Sequence, residues 1–176
     1  MTTQELIDLR ICIMEGRTQD ALTIVDELDG MSKKDILLKI ESYLMVLLVH
    51  LINNQVEGRL TNSWAASVRN SIRKIQPLNL KPNKTSYYIK EDEWEEAIAR
   101  VLEAAILDAS VEVLDGNCSP FQLTEMVDRS QVTETALSLL SLIYEHPPEA
   151  LPAIINDNLV LLAGGEDWKF GKRNKK

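Results

Sequence analysis

The chain has 176 residues, of which 45% are hydrophobic and 5% aromatic, and a net charge of −8 at pH 7. That length suits one domain with a sizeable core. The acidic balance sets the molecule as a whole against nucleic acid and acidic membrane surfaces unless a local basic patch intervenes. Cys12 and Cys118 lie far apart, outside any metal-ligand or redox spacing, and no signal-type run opens the sequence. Reduced, buried thiols in a cytoplasmic protein are expected.

In chain order, Thr2 with Glu5 predicts a capping box for a first helix carrying Leu6, Leu9 and Ile13, stopped at Gly16. Thr18 caps a second, through Ala21, Leu22, Val25 and Leu28, stopped near Gly30. Ser32 then caps a third over about Lys33–Gln55. Its stretch Ile36–Ile52 is apolar nearly all round, so it must be covered on most sides, the central pillar of a bundle. Lys39, Glu41 and His50 inside the run, and the lack of a basic flank, argue against a membrane span. Thr61 or Asn62 starts a fourth helix with Trp64, Val68, Ile72 and Ile75 on one face, ended by Pro77.

Residues 76–90 read as a long loop or an irregular hairpin through Tyr87 and Tyr88, a candidate mobile or binding segment. Asp92 caps a second long helix to about Asp115, with Gly116 as its stop. Ser119-Pro120 opens a short helix to about Arg129. Another starts near Ser130 or Thr133 and runs to the break at Pro147-Pro148. A last piece covers Leu151–Leu162 before Gly164-Gly165, and residues 166–176 form a polar, basic tail. The expectation is an all-α bundle in a single domain over 1–176, built on two long helices running antiparallel to each other.

The run Val46-Leu47-Leu48-Val49-His50-Leu51-Ile52, then Ser63-Trp64 and Ile72-Arg73-Lys74-Ile75, resembles domain-of-unknown-function family 29, small bacterial proteins abundant in cyanobacteria. Tyr87-Tyr88, Ala104-Ala105 through Ala109-Ser110, and Cys118-Ser119-Pro120-Phe121-Gln122-Leu123 are similar to later parts of that family's pattern. The resemblance covers roughly residues 4–130, leaving 131–165 as additional helices. Members commonly carry Trp or Gln near Asn54 and often Arg near Ile72, where this chain departs from the pattern. The resemblance implies an all-helical fold and no assigned activity.

Three groups of residues are candidates for function. His50, Ser63 and Trp64 mark a candidate pocket or buried polar group. His50 would act there as a base or metal ligand, although no second ligand stands one turn away on its helix. A packed histidine, a capping serine and a core tryptophan account for the same residues. Arg59, Arg69, Arg73, Lys74, Lys81, Lys84 and Lys90 form a candidate basic patch, with no acid between Gly58 and Lys90. Tyr87 and Tyr88 would stack on bases there. The nine acids and one base of Glu91–Asp115 would instead screen the patch across the surface. The segment Lys169–Lys176 is a second basic candidate. No catalytic constellation, phosphate loop, cofactor motif or metal set is read from the chain. A non-enzymatic interaction or scaffold protein with a protein partner or a second copy is expected, with nucleic-acid binding through 59–90 as the alternative.

Overall fold

The computed structural model describes residues 3–171; Thr2 and the basic end at 172–176 lie outside them. Eight α-helices follow in order among the described residues: α1 Thr3–Met14, α2 Thr18–Glu57, α3 Asn62–Asn79, α4 Trp94–Ala109, α5 Pro120–Met126, α6 Arg129–Glu145, α7 Leu151–Leu159 and α8 Gly165–Lys169. The fold is all-α, and Leu80 with Tyr87 makes an isolated antiparallel β-bridge. No helix among the described residues is long and apolar enough to cross a membrane. Both cysteines are buried and unbridged.

The residues divide into two compact units, 1–39 and 40–176. The two helices predicted on either side of Gly30 are one, because α2 runs unbroken from Thr18 to Glu57. Gly30 keeps a negative φ, and one glycine inside a helix costs about 1 kcal/mol relative to alanine. Breaking the helix there would strand eight backbone groups and require a second nucleus.

In the first unit α1 turns into α2 through a Schellman motif. Gly16 adopts φ 71°, while Arg17 N–H donates to the Cys12 carbonyl at 2.9 Å and Gly16 N–H to the Ile13 carbonyl at 3.2 Å. Among this unit's described residues only Cys12 and Ala21 are buried.

The second unit is an up-down-up-down bundle of the C-terminal part of α2 with α3, α4 and α6. Residues 47–54 of α2 are all buried except half-buried His50. Cross-contacts set the helix directions. Glu41 pairs with Arg100 at 3.7 Å and Asn53 meets Glu112 at 3.0 Å, so α2 and α4 run parallel, not antiparallel as expected. The reason is that α3 intervenes as a full return stroke, so the chain reverses twice between them. Trp94 at the start of α4 meets Tyr144 near the end of α6, and Arg129 at the start of α6 holds Glu103. These two helices are therefore antiparallel. The C-terminal helices pack on the bundle: α7 lies against α3 and α6, and Arg69 donates to Asn156 across the first of these contacts.

Helix ends differ from expectation where tertiary partners take over. α3 passes Pro77 by two residues, and the neighbouring Gln76 amide donates to the carbonyls of Ile143 and His146 at 3.0 and 2.8 Å. The second long helix is shorter than predicted: a 3₁₀ turn over Glu91–Glu93 precedes α4, which ends at Ala109. Beyond it Leu114, Asp115 and Gly116 adopt φ of 52°, 56° and 75° in succession, a left-handed run that is strained at its first two positions. The N-cap of α6 is Asp128, whose side chain accepts from Gln131 N–H at 3.1 Å.

The 80–90 segment is pinned. The Asn79 amide brackets Ile89, its Oδ1 accepting from Ile89 N–H at 2.7 Å and its Nδ2 donating to the Ile89 carbonyl at 2.8 Å. The Tyr144 hydroxyl also donates to that carbonyl, at 2.6 Å, and accepts from Trp94 Nε1 at 2.6 Å and Asn79 Nδ2 at 3.1 Å. Burial, the largest influence, pushes the Tyr144 phenol up to about 12, so it stays a neutral donor. Removing the Asn79 amide leaves the buried Ile89 N–H unpaired, at roughly 1–3 kcal/mol for an orphaned group, and takes one of several bonds from the Ile89 carbonyl and the Tyr144 hydroxyl. Asn79→Ala should therefore lower unfolding stability by about 2–3 kcal/mol in urea titration, whereas Asn83→Ala in the exposed turn should change it by less than about 1 kcal/mol.

Candidate functional site

Polar side chains cluster at the C-terminal end of α2: Asn54, Gln55 and Glu57. An apolar helix that ends inside a bundle draws the neighbouring loops towards it, and their buried backbone groups then need partners. Asn54 Nδ2 donates to the carbonyls of Arg59 and Ala163, at 2.9 and 2.8 Å. Gln55 pairs with both backbone groups of Asp128, accepting from its N–H at 2.9 Å and donating to its carbonyl at 3.1 Å. Glu57 accepts from Leu114 N–H at 3.3 Å and holds Arg59 at 3.0 Å. About one turn of helix thus fastens the α2–α3 turn, the α4–α5 connection, the α5–α6 joint and the α7–α8 joint.

The α7–α8 joint is tight as well as bonded. Gly164 has φ 70°, and a Cβ there would lie 2.6 Å from Arg59 Cα. A cavity of about 190 Å³ opens beside the cluster, lined by Leu51, Asn54, Gln55, Gln131, Thr135 and Leu162 among others. It falls below the 300–1,000 Å³ typical of small-molecule sites.

His50 and Asn53 lie one turn apart on α2. Asn53 is fully buried, and its Nδ2 donates to Glu112 Oε1 at 3.0 Å. Among the described residues no group partners Asn53 Oδ1 or His50 Nδ1, both of them buried atoms. Burial lowers the His50 pKa, and the negative charge of Glu112 opposes that shift in part. The imidazole is therefore neutral at pH 7.

Ser63 is exposed, and the cap of α3 is Thr61, whose hydroxyl accepts from Trp64 N–H at 3.0 Å. Trp64 is half-buried beneath the Arg59 guanidinium, 4.8 Å from the ring centroid. His50, Ser63 and Trp64 do not line the cavity. Among the described residues no group of three or more His, Cys, Asp or Glu side chains is placed to hold a metal.

The seven basic residues split into two sets. Arg59 is tied to Glu57, Arg69 to Asn156, and Lys81 sits 5.6 Å from the Tyr88 ring centroid. Arg73, Lys74, Lys84 and Lys90 are exposed. Tyr87 packs edge-on against Tyr144, with centroids 4.7 Å apart.

The depressed His50 pKa has a definite consequence for stability. The unfolded chain takes up the proton near the ordinary value of 6.5 while the native chain resists it, so acidification through that value favours unfolding. Stability should fall as pH drops from 7.5 to 5.5. His50→Gln should flatten that slope in urea titrations at the two pH values, and an unchanged slope would show that other groups carry it.

No curated protein and no solved structure matches this chain. A family model described as "Domain of unknown function DUF29" matches residues 15–131. That segment runs from the turn before α2 to the first turn of α6, so it contains the pillar, α3, the pinned 80–90 segment, α4, α5 and Gln131, which Gln55 holds at 3.0 Å. The chain belongs to the DUF29 family.

Proposed function

We propose that this protein is a non-enzymatic helical interaction or scaffold module of the cytoplasm. One observation carries the reading. The N-terminal hairpin buries only Cys12 and Ala21 among its described residues while large apolar side chains of both its helices stay exposed. Short helices hold together in water chiefly by packing an apolar face, and this pair packs little of its own. The second unit supports the same reading in another way. A polar cluster there fastens loops to the end of α2, and those amides are committed to backbone partners.

Nucleic-acid binding through 59–90 is the alternative, and it rests on the exposure of Arg73, Lys74, Lys84 and Lys90. The engagement of Arg59, Arg69 and Lys81 within the fold reduces the charge free to meet phosphate.

The test is chemical cross-linking and affinity capture with the full chain, beside a Leu22→Asp/Val25→Asp variant. Adducts that form with the wild type and disappear with the variant are expected. A wild-type chain that stays monomeric and captures nothing would remove the reading. Retention of single- or double-stranded oligonucleotide at about 50 mM salt, fading towards 200 mM, would favour the alternative.

A further inference from the structure

The two sides of the N-terminal hairpin differ in character. On one side Asp8, Arg17, Asp20, Thr23 and Glu27 edge a groove floored by Ile11, Cys12 and Ile24. At 100° per residue, Leu6, Leu9 and Ile13 of α1 and Leu22 and Val25 of α2 fall on the other side. Leu6, Ile13, Leu22 and Val25 are 45, 64, 51 and 45% exposed. Along α2 the Leu22–Val25 patch is bounded by Thr18 and Asp29, which fall on the same side, and the opposite side keeps the apolar floor of Ile11, Cys12 and Ile24; the side bearing Leu22 and Val25 is the more apolar of the two.

We infer that this more apolar face is the dimer interface of this protein, closed by the same face of a second copy into an intermolecular four-helix bundle. The inference rests on the reading of the chain as an interaction module and names its partner. Shape is the first argument: a two-helix layer needs a second layer over its apolar side, and an identical hairpin supplies one of matching length and character.

Area is the second argument. A twelve-residue helix is about 18 Å long, and packing two such hairpins face to face removes on the order of 1,000 Å² in total, close to the lower bound for a specific interface. The dimer should accordingly be reversible on dilution.

Charge is the third. Arg10 borders the face along α1 and Asp26 borders it along α2. A two-fold axis parallel to the helices lays α1 of one copy over α2 of the other, antiparallel to it, and brings each Arg10 to the Asp26 border of its partner. The contact is isologous, as a closed two-fold pair requires.

Sedimentation velocity of the full chain over a wide concentration range tests the inference, with far-UV circular dichroism confirming that each variant keeps its helices. The wild type should pass from monomer to dimer as concentration rises. Leu22→Asp/Val25→Asp should stay monomeric throughout. Arg10→Asp and Asp26→Arg should each weaken association severalfold, and the double exchange Arg10→Asp/Asp26→Arg should restore it. A wild type that is monomeric at every concentration overturns the inference, even where cross-linking finds another partner and the interaction reading survives. A dimer indifferent to all of these substitutions overturns it too, because its contact then lies elsewhere.

Discussion

Burial of residues 47–54 of α2, half-buried His50 apart, is the constraint on which the larger unit depends. Leu47, Leu48, Leu51 and Ile52 are at most 3% exposed, and truncating such a side chain to alanine typically costs 2–5 kcal/mol. Covering the helix on every side brings loops to its end, and each loop arrives with backbone groups removed from water. Asn54 and Gln55 answer those groups at four carbonyl or amide atoms. The apolar stack and the amide cluster are thus one device: the first pulls the loops in and the second makes their burial tolerable.

A second amide cluster does the same work at the opposite end of the bundle. Asn79 and Tyr144 hold Ile89, which converts a long connection into a fixed one. The direction of α4 follows from this return path. With α3 as one full stroke and the 80–90 segment closing the other end, α4 comes back parallel to α2; its Glu96 pairs with Arg100 one turn on and its Glu103 reaches Arg129 of α6.

Much of this was legible in residue patterns. The pillar, Gly16, the Ser119-Pro120 start and the break at Pro147-Pro148 all depend on contacts within a few residues, and they stand where local rules put them. Gly30 and Pro77 show the limit of those rules. A local stop signal is worth about 1 kcal/mol for glycine and about 3 for proline, so favourable surroundings can override it. The candidate site was less legible. His50 stands out in the sequence as a polar group inside an apolar run. Its carboxylate neighbour Glu112 lies 62 positions away, however, and Ser63 turned outward because Thr61 caps the helix.

The sequence by itself determined the all-α class, the main helices, the buried pillar and the family, because apolar periodicity, caps and motif order are local and additive. Only the tertiary structure decided that α2 is one helix, that α2 and α4 run parallel, and that Asn54, Gln55 and Asn79 serve as anchors for distant loops. An amide side chain looks alike in a sequence whether it faces water or a buried carbonyl. Its role is set by which backbone groups packing brings to it, and that depends on the whole chain at once.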